Sequence, residues 1–123
     1  MSGANVDAVR VALLGRRRQW IKNQGRANAA LVLLAGDMAA QFVPPAGEQD
    51  FAAVQGRAKG CTFDLRVSGS RRERDSVLEL TVRHYSAQTT VRLDGPGCTV
   101  PDLDPGVLRD AIEQVCHSFA NGQ

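Results

Sequence analysis

The chain has 123 residues, 43% of them hydrophobic and 23% charged, with a net charge of +2 and an aromatic content of 5%. Those values exclude a wholly disordered chain and a core too small to form without disulfide or metal staples. They also exclude any inference about a partner from net charge alone.

The distribution of charge says more than its sum. Residues 1–26 carry +5, residues 27–56 carry −3, residues 57–92 carry +4 and residues 93–123 carry −4. Alternating blocks of this kind favour pairing within or between subunits as much as binding of an outside polyanion. The densest basic run is Arg16-Arg17-Arg18-Gln19-Trp20-Ile21-Lys22-Asn23-Gln24-Gly25-Arg26, which surrounds the single tryptophan and contains no acid.

In chain order, Asn5 is a good N-cap and Gly25 a good terminator, which predicts a first helix from about residue 5 to residue 23 or 24. At 100° per residue Val6, Val9, Leu13, Leu14, Trp20 and Ile21 share one arc, and Arg10 and Arg17 fall inside it. Either the two arginines run their methylenes along the edge of the core, or the seam is an interface whose partner supplies carboxylates. The alanines and leucines of residues 27–43, with Met38 and Gln41, favour a second helix. Gly36-Asp37 between two apolar runs allows a hairpin there instead. Pro44-Pro45 ends the element in either case. A loop over 44–50 and a short helix over 49–57 carrying Phe51 and Val54 are expected next.

Cys61, Phe63, Leu65 and Val67 then alternate with polar residues, as do Leu78, Leu80 and Val82, and Val91 and Leu93 anchor a third strand. A fourth edge strand at Cys98–Val100 is optional. The connection over 68–76 is too long for a tight turn. Asp104 caps a final helix with Pro105 at its first position, and Leu108, Ala111, Ile112, Val115 and Phe119 form its apolar face with Cys116 on the flank. The expected fold class is therefore α+β over a single domain, 1–123. It comprises an N-terminal helix or helix pair, a three- to four-stranded antiparallel β-meander, and a C-terminal amphipathic helix packed on the sheet. Several small families share that order of elements, a likeness that carries no function.

No GxSxG, HExxH, GxGxxG or GxxxxGK[ST] run occurs, so no catalytic, cofactor-binding or metal residue is assigned and a non-enzyme is expected. His84 follows the Leu78–Leu80–Val82 alternation and is read as a histidine facing the core. Cys116 and His117 stand about 100° apart on their helix and cannot converge on one metal or form a nucleophile–base pair. Asp102 and Asp104 read as turn and cap residues, and Ser76 as a solvated serine near Arg72 and Arg74. Cys61, Cys98 and Cys116 are odd in number and lack CxxC spacing, which fits a reduced, intracellular protein. The cytoplasm is the expected compartment. An organelle transit peptide is the lesser alternative, opposed by Asp7 in the first turn. The stretch 27–43 is too short and too interrupted to span a membrane.

Two functions follow. The first is a protein–protein assembly module, an adaptor or homo-oligomer, using Arg10, Arg17, Trp20 and Ile21 or an edge of the sheet. The alternative is a nucleic-acid binder contacting DNA or RNA through Arg16, Arg17, Arg18, Lys22 and Arg26, with Arg71, Arg72 and Arg74 as a second contact. No cofactor and no membrane partner are expected.

Overall fold

A computed structural model describes residues 25–46, 52–68, 77–93 and 102–122. The expected helix over 5–24, the optional strand at Cys98–Val100 and the connection over 69–76 lie outside the described residues.

Residues 25–37 are helical (α1), so Gly25, expected to follow a helix, is itself helical. The helix turns Ala27, Ala30, Leu31, Leu34 and Ala35 inward. It ends in a Schellman motif: Ala39 N–H donates to the Gly36 carbonyl at 3.4 Å and Ala40 N–H to the Ala35 carbonyl at 2.8 Å. Ala39 takes the left-handed conformation (φ 51°) that this motif needs, a role usually filled by glycine. Neither reading of residues 27–43 survives intact. The helix stops at residue 37, Gly36-Asp37 is its last turn and not a hairpin, and Gln41–Val43 leave as a strand, β1. Pro44 then ends β1 as expected, since proline cannot donate to a ladder.

The second correction concerns residues 49–57. Ala53–Ala58 form a strand, β2, and not a helix. Val54, Gly56 and Ala58 alternate with Gln55 and Arg57, and β2 is hydrogen-bonded on both sides, antiparallel to β1 and to β3 (Cys61–Ser68). Two flanking ladders outweigh a weak local helical tendency. The β2–β3 turn is Lys59-Gly60, both with positive φ (49° and 81°), a type I′ turn whose twist matches that of the strands. Strands β4 (Val77–His84) and β5 (Ala87–Arg92) complete a five-stranded sheet in the order β1-β2-β3-β4-β5. The meander is as expected. It has two more strands at its start than alternation alone indicates.

Val54, Phe63, Leu65, Val67, Leu78, Leu80 and Val82 line one sheet face, and both helices bury against it. The final helix, α2, runs Pro105–Ala120, with Asp104 accepting from Gly106 N–H at 2.8 Å and Val107 N–H at 3.2 Å. Its buried line is Leu108, Ile112 and Cys116, so Cys116 lies at the centre of the apolar face and not on its flank. Leu108 and Ile112, fully buried, each contribute roughly 1.5–3 kcal/mol of hydrophobic stabilisation. Gly56 has its own packing reason. A Cβ there would lie 2.7 Å from the Ala40 Cβ and 3.2 Å from Phe63, so its bare Cα lets the start of β1 close over β2.

Arg109 ties the helices together, donating to Asp37 at 2.9 Å and to Glu113 at 3.1 Å. Asp37 sits at the carboxyl end of α1, where the helix dipole disfavours an anion. Arg109 offsets that cost, and its own pKa is held up chiefly by the hydrogen bond to Asp37. Among the described residues no helix is long and apolar enough to cross a membrane.

Candidate functional site

The face of the sheet opposite α1 and α2 is polar, and the registers arrange its side chains in cross-strand rows. Ala53, Arg66, Glu79 and Arg92 form one row, and Gln55, Asp64, Thr81 and Thr90 the next. In the second row Asp64 is fully engaged: Arg66 reaches its two oxygens at 2.8 and 3.1 Å, and Gln55 Nε2 donates at 2.8 Å. That contact raises the Arg66 pKa. Thr81 and Thr90 share a hydrogen bond at 3.0 Å.

The row nearest the hairpin tips differs. It runs Arg57, Thr62, Arg83, Gln88 across β2 to β5 and contains no acid. Arg57 makes no hydrogen bond or ion pair among the described residues, and Arg83 donates only to the neutral amide oxygen of Gln88 at 2.9 Å. The β2–β3 and β4–β5 turns lie at this same end and place exposed Lys59 and Tyr85 beside the row. Arg57, Lys59, Thr62, Arg83 and Tyr85 line one shallow hollow with no acidic residue on its walls. Tyr85 is 88% exposed, touches His84 edge-on at 4.6 Å between ring centres, and has φ of 56°.

A second exposed feature is the outward side of α1. Arg26, Ala29, Val32, Leu33, Gly36 and Asp37 face solvent, with Val32 49% and Leu33 65% exposed. Leu33 is thus an apolar side chain on a surface with small residues to either side.

Of the site residues expected from the sequence, Arg10, Arg16, Arg17, Arg18, Trp20, Ile21, Lys22, Arg71, Arg72 and Arg74 lie outside the described residues, as does Ser76. Arg26 is described: it is exposed on α1 and unpaired among the described residues. His84 is half-buried, and so at the rim of the core instead of inside it. Cys116 is buried and His117 exposed. The Cys61 thiol donates to the Cys116 carbonyl at 3.3 Å, and both cysteines are free thiols. Among the described residues no group of three or more His, Cys, Asp or Glu side chains is placed to hold a metal.

The sequence reading missed the Arg57–Arg83 row because it placed Arg57 on a helix. The signal that would have found it is Lys59-Gly60, a two-residue turn pairing Arg57 with Thr62 across a hairpin. Comparison with protein-family models, with curated proteins and with solved structures gives no match.

Proposed function

We propose that the protein is a non-enzymatic assembly module that pairs with a second copy of itself through the outer side of α1. The observation carrying this reading is the exposure of Val32 and Leu33 on a strip bounded by Arg26 at one end and Asp37 at the other. The strip is self-complementary. Laid antiparallel on its own copy, it sets Ala29 against Gly36 of the partner subunit and Val32 against Leu33 of the partner subunit. Arg26 then comes within reach of Asp37 of the partner subunit. Such an isologous contact has each residue meeting its complement twice, and Ala29 and Gly36 allow close approach of the helix backbones. Residues 25–37 span ~20 Å of helix, which is small for a specific interface, so the expected affinity is micromolar.

Sedimentation velocity between ~1 and ~100 μM spans such an equilibrium. The wild type should shift from monomer to dimer across that range, and Leu33→Glu should remain monomeric with an unchanged melting temperature, since Leu33 is outside the core. A wild-type monomer throughout, or a Leu33→Glu protein that dimerises equally well, would overturn the reading. The nucleic-acid alternative is supported by a different observation, the row of unpaired cations on the sheet.

A further inference from the structure

We infer that the hairpin end of the sheet is a binding site for single-stranded nucleic acid, with Arg57, Lys59 and Arg83 on the phosphates and Tyr85 stacked on a base. The inference does not depend on self-association, since this surface and the α1 strip share no residue.

Three observations carry it. First, the cations are uncompensated. Arg57 and Arg83 lie one strand either side of Thr62 on the same face, which places their backbones about 10 Å apart. Lys59 adds a third positive charge at the rim of the same hollow. In the adjoining row of this face Asp64 is matched to Arg66. Asp37 and Glu113 border the adjoining hollow on the helix side, but Arg109 engages both. Like charges gathered without an acid oppose folding, so their placement points outward to an anion. Arginine offers a planar fork matched to phosphate oxygens, and the exposed Thr62 hydroxyl between the two guanidinium groups is a further phosphate donor.

Second, Tyr85 has no place in the core. A tyrosine 88% exposed at a hairpin tip buries almost no area there, yet its ring borders the same hollow as the cations. An accessible aromatic face beside a basic groove is the arrangement on which unpaired bases stack. A duplex keeps its bases stacked on each other and offers no such face except at its ends, which is why the single strand is favoured.

Third, the backbone at both tips is in a conformation that neither side chain favours. Lys59 (φ 49°) and Tyr85 (φ 56°) occupy left-handed positions that glycine or asparagine adopts more easily. Strain of this kind, held where the fold gains nothing from the side chain, points to a use for the side chain.

The test is fluorescence anisotropy of the full-length chain with labelled oligouridylate and oligothymidylate of ~15 nucleotides and a duplex of the same length, at ~50 and ~200 mM salt. Both single strands should bind more tightly than the duplex. Three phosphate contacts give a log–log salt slope of about −2. Arg57→Gln with Arg83→Gln should flatten that slope to about −0.7 and weaken binding at low salt. Tyr85→Gly should weaken binding about tenfold or more, and because it relieves the left-handed φ it should not lower the melting temperature. Leu33→Glu should bind as the wild type does.

Four outcomes would overturn the inference. One is no binding of either single strand. Another is binding that survives the double arginine variant. A third is binding that ignores Tyr85 and is competed equally by inorganic polyphosphate, which marks a generic polyanion surface. The last is binding that Arg16, Arg17 and Arg18 as alanine abolish while the sheet variants leave it intact, which places the contact on the amino-terminal run.

Discussion

Cys116 is wholly buried between α2 and the sheet, and its thiol is not an inert filler when pH rises. Burial pushes its pKa up to about 11 from an ordinary 9.0, and the neighbouring Cys61 and Glu113 add to the rise. The sign follows directly. In the folded protein the thiol holds its proton more tightly than in the unfolded chain, so its contribution to stability is complete below about pH 9. It is lost as pH climbs from about 9 toward 11, at a rate of order 1 kcal/mol per pH unit. Urea midpoints of the wild type should therefore fall more steeply over that window than those of Cys116→Ala. Parallel declines in the two proteins would show that ionisation of Cys116 is not linked to unfolding. At neutral pH both buried thiols should resist alkylating reagents until the chain is unfolded.

Among the elements, α1 is the one whose end the sequence hides. Its left-handed closing residue is Ala39, where a glycine would announce the stop, and the nearby Gly36 points to the wrong place. Ala39→Gly should therefore stabilise the protein by about 1 kcal/mol, by removing a Cβ from a left-handed position. Equilibrium unfolding reads this directly, and a destabilised variant would mean that the Ala39 methyl has a packing role outweighing the strain. The contrast with α2 is instructive. There Asp104 and Pro105 mark the start, and a 3.6-residue period marks the buried side, so both were legible from residues alone. Strands β3 and β4 were equally plain, because Cys61–Val67 and Leu78–Val82 alternate strictly. Strand β2 was not, since its inward line is Val54, Gly56, Ala58. Two of those three residues are small, and Gly56 is so for a packing reason, the approach of Ala40 and Phe63, that exists only once the sheet is formed. The candidate site shared that fate: the cations of the hairpin end lie 26 residues apart in sequence, from Arg57 to Arg83, and only the register joins them.

For the molecule as a whole, the charged side chains have two different uses. Arg109 and Asp37 pair across the two helices, although both belong to acidic blocks, Arg109 being the single Lys or Arg of residues 93–123. The +4 block spreads its described arginines over the sheet face opposite α1 and α2, where Asp64 satisfies Arg66 while Arg57 and Arg83 make no ion pair among the described residues. The two exposed features, the α1 strip and the hairpin end, therefore answer to separate forces, one apolar and one electrostatic, and salt should affect only the second strongly. The sequential strand order also has a kinetic consequence. Every strand pairs with its neighbour in the chain, and two of the four connections in the sheet are two-residue turns. A sheet of such local pairings can zip up hairpin by hairpin, ahead of a contact as distant as Arg109–Asp37. The tips bearing Lys59 and Tyr85 are then structured early, and their backbone strain falls on the barrier to folding more than on the barrier to unfolding. Replacing Lys59 with asparagine should quicken refolding and leave the unfolding arm of the chevron in place.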